Sequence, residues 1–137
     1  MSKQKFTGKT LLVLGSNVGA TEIVQYAREN GAYTIVADYY PIERSKAKQV
    51  ADEAALISTA DTEALNKLII EKRVDGVLAG VSESNLLKAM ELSQKKGLRF
   101  YCNKMQWDSI ENKGQFRKLC EKNGVPCPKT CLLYTSD

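Results

Sequence analysis

Residues 10–38 read TLLVLGSNVGATEIVQYARENGAYTIVAD, and this stretch decides the fold. Residues 10–14 are a continuous apolar run, too short for a helix and of the kind buried on both faces of a parallel sheet. The run breaks at Gly15. Over residues 18–30 the spacing becomes helical, with Ile23, Tyr26 and Ala27 on one side. Ser16 or Asn17 caps the first turn, and Gly31 stops the helix. A second apolar run, AYTIVA at 32–37, ends at Asp38. Strand, helix and strand in succession predict a βαβ unit with parallel strands.

The alternation continues outward. Tyr39, Tyr40 and Pro41 form a loop, and a short polar helix spans 44–50. A weaker strand covers 54–57. Asp61 caps a helix to residue 72, with Leu65, Leu68 and Ile69 on one face. DGVLA at 75–79 is a fourth strand. Ser82 caps a helix to residue 96, with Leu86, Leu87 and Met90 inward, and Gly97 ends it. Residues 98–101 read as a fifth strand. The prediction is an α/β, Rossmann-like, doubly wound parallel sheet of about five strands with helices on both faces. That domain covers residues 1–104. Beyond it, a helical connector at 105–111 leads to an amphipathic linking helix at 113–123, with Phe116, Leu119 and Cys120 inward. Gly124 terminates that helix, and VPCP at 125–128 forces extended backbone. Residues 130–134 read as one more strand. Residues 105–137 are therefore expected to be a linker and the opening of a truncated second domain.

Composition removes whole function classes. The chain has 137 residues, 43% hydrophobic and 26% charged, which is globular composition. It contains no histidine, so histidine-ligated zinc, Ser-His-Asp and Cys-His catalysis are all excluded. No pair among Cys102, Cys120, Cys127 and Cys131 is spaced C-x-x-C, so the thiols read as reduced and no metal site is expected. Net charge is +4, with basic residues gathered in the amino-terminal tail (Lys3, Lys5, Lys9) and over 104–129. No basic stripe interleaved with aromatics appears, so nucleic acid is not an expected partner. No apolar run approaches the ~20 residues that cross a bilayer. The start, MSKQKFTGKT, lacks the apolar core of a secretory leader. A cytoplasmic protein without membrane contact is expected.

In doubly wound sheets, ligands bind beyond the carboxyl ends of the strands, where strand order reverses. This selects the loops at 15–19, 38–41 and 80–84. In the first, Gly15, Ser16, Asn17 and Gly19 lead from a strand into a helix, whose amino terminus attracts anions. Asn17 stands where a second glycine would complete G-x-G-x-x-G, and no lysine follows to make a P-loop. Asp38 lies about 20 residues beyond that loop, where dinucleotide-binding folds place the acid for a ribose hydroxyl. The same two glycines also serve strand–helix packing without any ligand, and spacing does not choose between these roles. In the third loop Ser82 caps the helix and Glu83 favours its first turn; no base adjoins Ser82 to activate it. Lys113, taken alone, is a solvated surface lysine. No catalytic residue is assigned.

The order of motifs resembles the amino-terminal, pre-ATP-grasp domain of ATP-grasp enzymes. The resemblance runs through TLLVLGSNVG, GAYTIVADYYP, ADEAALISTAD and VDGVLAG into NKGQFRKLCEKNGVPCPK, and so covers nearly the whole chain. The carbamoyl-phosphate-synthase-large-chain-like and carboxylate–amine-ligase-like members are most similar. The resemblance implies a parent that uses ATP and Mg2+ to activate a small carboxylate as an acyl phosphate for attack by an amine-type nucleophile. It implies that Lys113, at the start of the linking helix, reaches ATP phosphates. It also implies that Gly15, Ser16, Asn17 and Gly19 help hold substrate, with Asp38, Ser82 and Glu83 in neighbouring loops. The glycine-rich phosphate loop, the adenine pocket and the acidic magnesium ligands would lie in an ATP-grasp domain beyond residue 137, in the same chain or a separate polypeptide. This portion is then expected to be inactive alone, to hold no cofactor, and to be able to self-associate. The competing expectation is a stand-alone Rossmann-like nucleotide- or small-molecule-binding module without catalysis.

Overall fold

A computed structural model describes residues 4–129 of the chain. The chain divides between Phe100 and Tyr101 into two compact units.

The first unit holds β1 (Thr10–Leu14), α1 (Val18–Glu29), β2 (Tyr33–Asp38), α2 (Lys46–Val50), β3 (Glu53–Leu56), α3 (Thr62–Glu71), β4 (Gly76–Ala79) and α4 (Glu83–Lys96). The strands form one parallel sheet in the order β3-β2-β1-β4. From β1 the chain steps outward to β2 and β3, then crosses to β4 on the other side. Strand order therefore reverses beside β1. The period-two alternation of the strands sorts their side chains onto two faces. Leu12, Leu14, Ile35 and Ala37 meet Leu65, Leu68 and Ile69 of α3 and Ala89 and Leu92 of α4. Val13 and Val36 meet Ala20 and Val24 of α1 and Ala47 of α2. Each such Val, Leu or Ile side chain contributes about 1.5–3 kcal/mol by leaving water, and each alanine less.

Several expectations need correction. Among the described residues the sheet has four strands, and residues 98–101 run as irregular chain. Gly97 turns left-handed at φ 67° to close α4, and the Leu98 N–H donates to the Ser93 carbonyl. Leu98 and Phe100 still pack their side chains on the core. β3 begins one residue earlier than expected. The buried side of α1 is Ala20, Val24 and Ala27; Tyr26 is largely exposed, its ring edge-on to Phe6 with centres 6.2 Å apart.

The second unit contains α5 (Lys104–Glu111) and α6 (Lys113–Lys122), packed on each other. Asn103 and Gln106 form a capping box on α5, and the Asn112 side chain caps α6. Of the three residues expected inward on α6, Cys120 is buried, whereas Phe116 and Leu119 keep 42% and 44% of their surface exposed. Two short helices offer too little surface to close over a full apolar stripe. The strand expected at 130–134 lies outside the described residues. Among the described residues no helix is long and apolar enough to cross a membrane.

Candidate functional site

The loop after β1 is shaped by two close approaches. Gly15 adopts φ 90°, which only glycine takes without strain, and its N–H extends the ladder by donating to the Ala37 carbonyl at 2.9 Å. A Cβ on Gly15 would lie 2.6 Å from Asn85 Nδ2. Asn17, not Ser16, caps α1 by accepting the Ala20 N–H at 2.9 Å. The loop after β4 presses on that cap. A Cβ on Gly80 would lie 2.3 Å from Asn17 Oδ1 and 2.8 Å from the Ala20 nitrogen. Gly80 is thus the glycine that lets the two loops meet across the strand-order reversal. Gly19 is not such a position: an added Cβ there would make only ordinary contacts of 3.5–3.6 Å.

The loop after β2 rests on a buried ion pair that the sequence did not disclose. Asp38 is 3% exposed and Lys48 of α2 is 2% exposed. Lys48 Nζ lies 2.8 Å from Asp38 Oδ1 and also donates to the Asp38 carbonyl at 3.0 Å and to the Tyr40 carbonyl. The Tyr40 N–H donates to Asp38 Oδ1 at 2.9 Å. Among the described residues Asp38 Oδ2 has no partner. Tyr39 and Tyr40 stack with ring centres 4.2 Å apart, and the Tyr39 hydroxyl donates to that of Tyr40 at 2.7 Å. That hydrogen bond holds the Tyr39 phenol above its ordinary pKa. The Arg44 guanidinium sits 5.1 Å over the Tyr40 ring.

Gly15, Ser16, Asn17 and Asp38 line one cavity of about 280 Å³. Tyr39, Tyr40, Thr59 and Asn85 complete its wall. Four of the expected residues are therefore brought together, and four are not. Gly19 lies in the first turn of α1, outside the wall. Ser82 caps α4, its hydroxyl 3.4 Å from the Asn85 nitrogen, and Glu83 points to solvent in the first turn. Lys113 is the exposed first residue of α6, in the second unit. Tyr39 and Tyr40 fall in the loop 38–41 that the strand-end rule selects but were given no role, and Lys48, Thr59 and Asn85 were missed by sequence reasoning. A larger cavity, about 800 Å³, opens at the opposite end of the sheet beside Phe6, Leu11, Ile23, Tyr26 and Leu78. It is mostly apolar and holds none of the strand-end loops, so the smaller cavity is the candidate site. No three metal-ligating side chains converge among the described residues.

No protein-family model matches the chain. Among curated proteins it is similar to formate-dependent phosphoribosylglycinamide formyltransferase of Prochlorococcus marinus subsp. pastoris, with 31% identity over 122 residues, covering 89% of this chain and 30% of the relative. The carbamoyl phosphate synthase large chain of Clostridium acetobutylicum is 27% identical, over 92% of this chain and 13% of that protein. Among solved structures, N5-carboxyaminoimidazole ribonucleotide synthetase from Thermotoga maritima matches with TM-score 0.69 and 26% identity, covering 88% of this chain and 32% of that one. An L-amino acid ligase from Bacillus licheniformis matches in fold, with TM-score 0.70 at 15% identity, over 89% of this chain and 32% of the ligase. The chain spans about a third or less of the length of these proteins. These similarities in sequence and fold are consistent with the amino-terminal, pre-ATP-grasp domain of ATP-grasp enzymes.

Proposed function

We propose that this chain is the amino-terminal substrate-binding and structural domain of an ATP-grasp ligase. The parent enzyme transfers the γ-phosphoryl group of ATP to a substrate carboxylate, releasing ADP. An amine-type nucleophile then attacks the acyl carbon, expels phosphate and loses a proton. The observation that carries this reading is the coverage: the match takes in 89% of this chain but only 30% of the formyltransferase. The cavity formed by Gly15, Ser16, Asn17 and Asp38 at the strand ends supports a substrate-holding role. Gly19, Ser82 and Glu83 lie outside its wall, at the helix starts of α1 and α4, and Lys113 is assigned to the ATP phosphates. The described residues do not fit a magnesium site, since no three ligating side chains converge. The metal and most of the nucleotide contacts are therefore assigned to the remaining part of the parent.

Isothermal titration with Mg-ATP tests the assignment. The chain alone is expected to neither bind at micromolar concentration nor turn ATP over; both together would overturn the reading. In the full-length parent, Lys113→Ala is expected to lower kcat/KM for ATP by about tenfold or more with the fold intact. Unchanged kinetics would remove Lys113 from the site.

A further inference from the structure

We propose that Cys120 and Cys127 are a redox-sensitive dithiol that closes to an intramolecular disulfide, tying the segment after α6 to that helix. The inference rests on the second unit alone, so it stands or falls independently of the ligase reading.

Both thiols are brought to one turn of α6. The Cys127 thiol donates to the Arg117 carbonyl, with sulfur and oxygen 3.8 Å apart. Cys120 lies three residues on from Arg117, on the same side of the helix, and a helical Cα–Cβ bond leans back toward the amino terminus. Its side chain is therefore directed at the turn where the Cys127 sulfur rests. The backbone explains how a residue beyond the helix returns there. Gly124 takes φ 68° and turns the chain, and the Val125 N–H donates to the Cys120 carbonyl at 2.8 Å. Val125 and Cys127 each precede a proline, which restricts both to extended backbone. The return path is short and stiff, and few backbone rotations remain to be lost on closing it.

The two thiols differ in access. Cys127 is half-buried and open to a small reagent, whereas Cys120 keeps 7% of its surface. An accessible thiol that reacts first, beside a second that resolves it, is the arrangement of a redox sensor. With oxidised glutathione as the oxidant, the Cys127 thiolate attacks one glutathione sulfur, the S–S bond breaks and one glutathione thiolate leaves. The Cys120 thiolate then attacks the Cys127 sulfur of the mixed disulfide and expels the second glutathione. The cysteine pair gives up two electrons to the oxidant, and the two thiol protons end on the released glutathiones.

Disulfide mapping of the folded chain tests the proposal. Trypsin places each cysteine in its own peptide: 100–104 for Cys102, 119–122 for Cys120, 123–129 for Cys127 and 130–137 for Cys131. The chain is equilibrated with oxidised and reduced glutathione, its remaining thiols are alkylated, and the digest is read by mass. Peptide 119–122 is expected joined to 123–129 in about tenfold excess or more over any other linked pair, and dithiothreitol is expected to release it. In urea that excess should fall severalfold, because sequence spacing alone favours Cys127 with Cys131. Cys120→Ser is expected to stop at the mixed disulfide on Cys127, and Cys102→Ser to leave the link unchanged. Mixed disulfides alone, a predominant link to Cys102 or Cys131, or an excess that persists in urea would each overturn the proposal.

Discussion

In the first unit, β1 is paired on both edges and packed on both faces, with Leu12, Val13 and Leu14 fully buried. In the second, α5 buries no residue and α6 buries only Cys120. The two regions have similar local quality: capping side chains, clean helix ends, a capping box. What separates them is the amount of apolar surface each encloses. Local signals make a helix; only a closed core makes a cooperative unit. The sheet unit meets that condition by its own contacts, and substitutions in it should register as loss of fold. Substitutions on α6 should scarcely register.

The largest effect is expected at the ion pair. Lys48→Met leaves Asp38 buried without its cation and should destabilise the first unit by about 3–5 kcal/mol in denaturant melts. The double variant Asp38→Asn/Lys48→Met should recover much of that loss, because both charges then disappear together. A single Lys48 variant as stable as the parent chain would show that the pair is not buried in solution. Next comes Leu12→Ala, with an expected loss of about 2–5 kcal/mol from the cavity it leaves in the central strand. A melting temperature unchanged by this substitution would contradict the two-faced core.

Gly80→Ala tests the meeting of the two loops. Its Cβ would fall 2.8 Å from the backbone nitrogen of Ala20, which cannot step aside without moving α1. The expected cost is about 1–3 kcal/mol, and Gly19→Ala, with its 3.5 Å contacts, is the control that should cost less. Equal effects from the two would mean that the loop approach is looser than described.

These positions also show which parts of the molecule were legible in the sequence. The βαβ order was, because apolar runs at 10–14 and 32–37 and the α3 face at Leu65, Leu68 and Ile69 carry their periods locally. Two of the three loops chosen by the strand-end rule were, because that rule needs only topology: they line the cavity, with Gly15, Ser16, Asn17 and Asp38 on one wall, while loop 80–84 contributes none of its residues. Lys48 was not. It sits in a run, KAKQV, that reads as a polar surface helix, and only the packing of α2 against β2 turns its side chain toward Asp38. Gly80 was not, because its constraint comes from a loop about 60 residues away in sequence that only tertiary folding brings near. Residues 98–101 misled for the converse reason: Leu98 and Phe100 alternate like a strand and pack their side chains on the core. Asn17→Ala removes a feature that was half legible, one of two candidate caps. It should cost about 1 kcal/mol of first-unit stability, measured by the same melts, while Ser16→Ala should cost less; the reverse order would move the cap to Ser16.

The smallest effect is expected on α6, and it sharpens the contrast most directly. Phe116 is aromatic, lies on the apolar side of its helix and would be assigned to a core by pattern alone, yet 42% of its surface is exposed. Replacing it with serine removes little buried area, so the change in the chain's stability should stay within about 0.5 kcal/mol. In the full-length parent, where the ligase reading places more protein beyond this helix, the same Phe116→Ser substitution should cost about 1 kcal/mol or more by exposing a contact the isolated chain does not make. Parallel melts of the two proteins give the comparison. A large loss in the chain itself would mean that α6 already belongs to a closed core, and a null result in both would mean that the apolar side of α6 has no partner in the parent either.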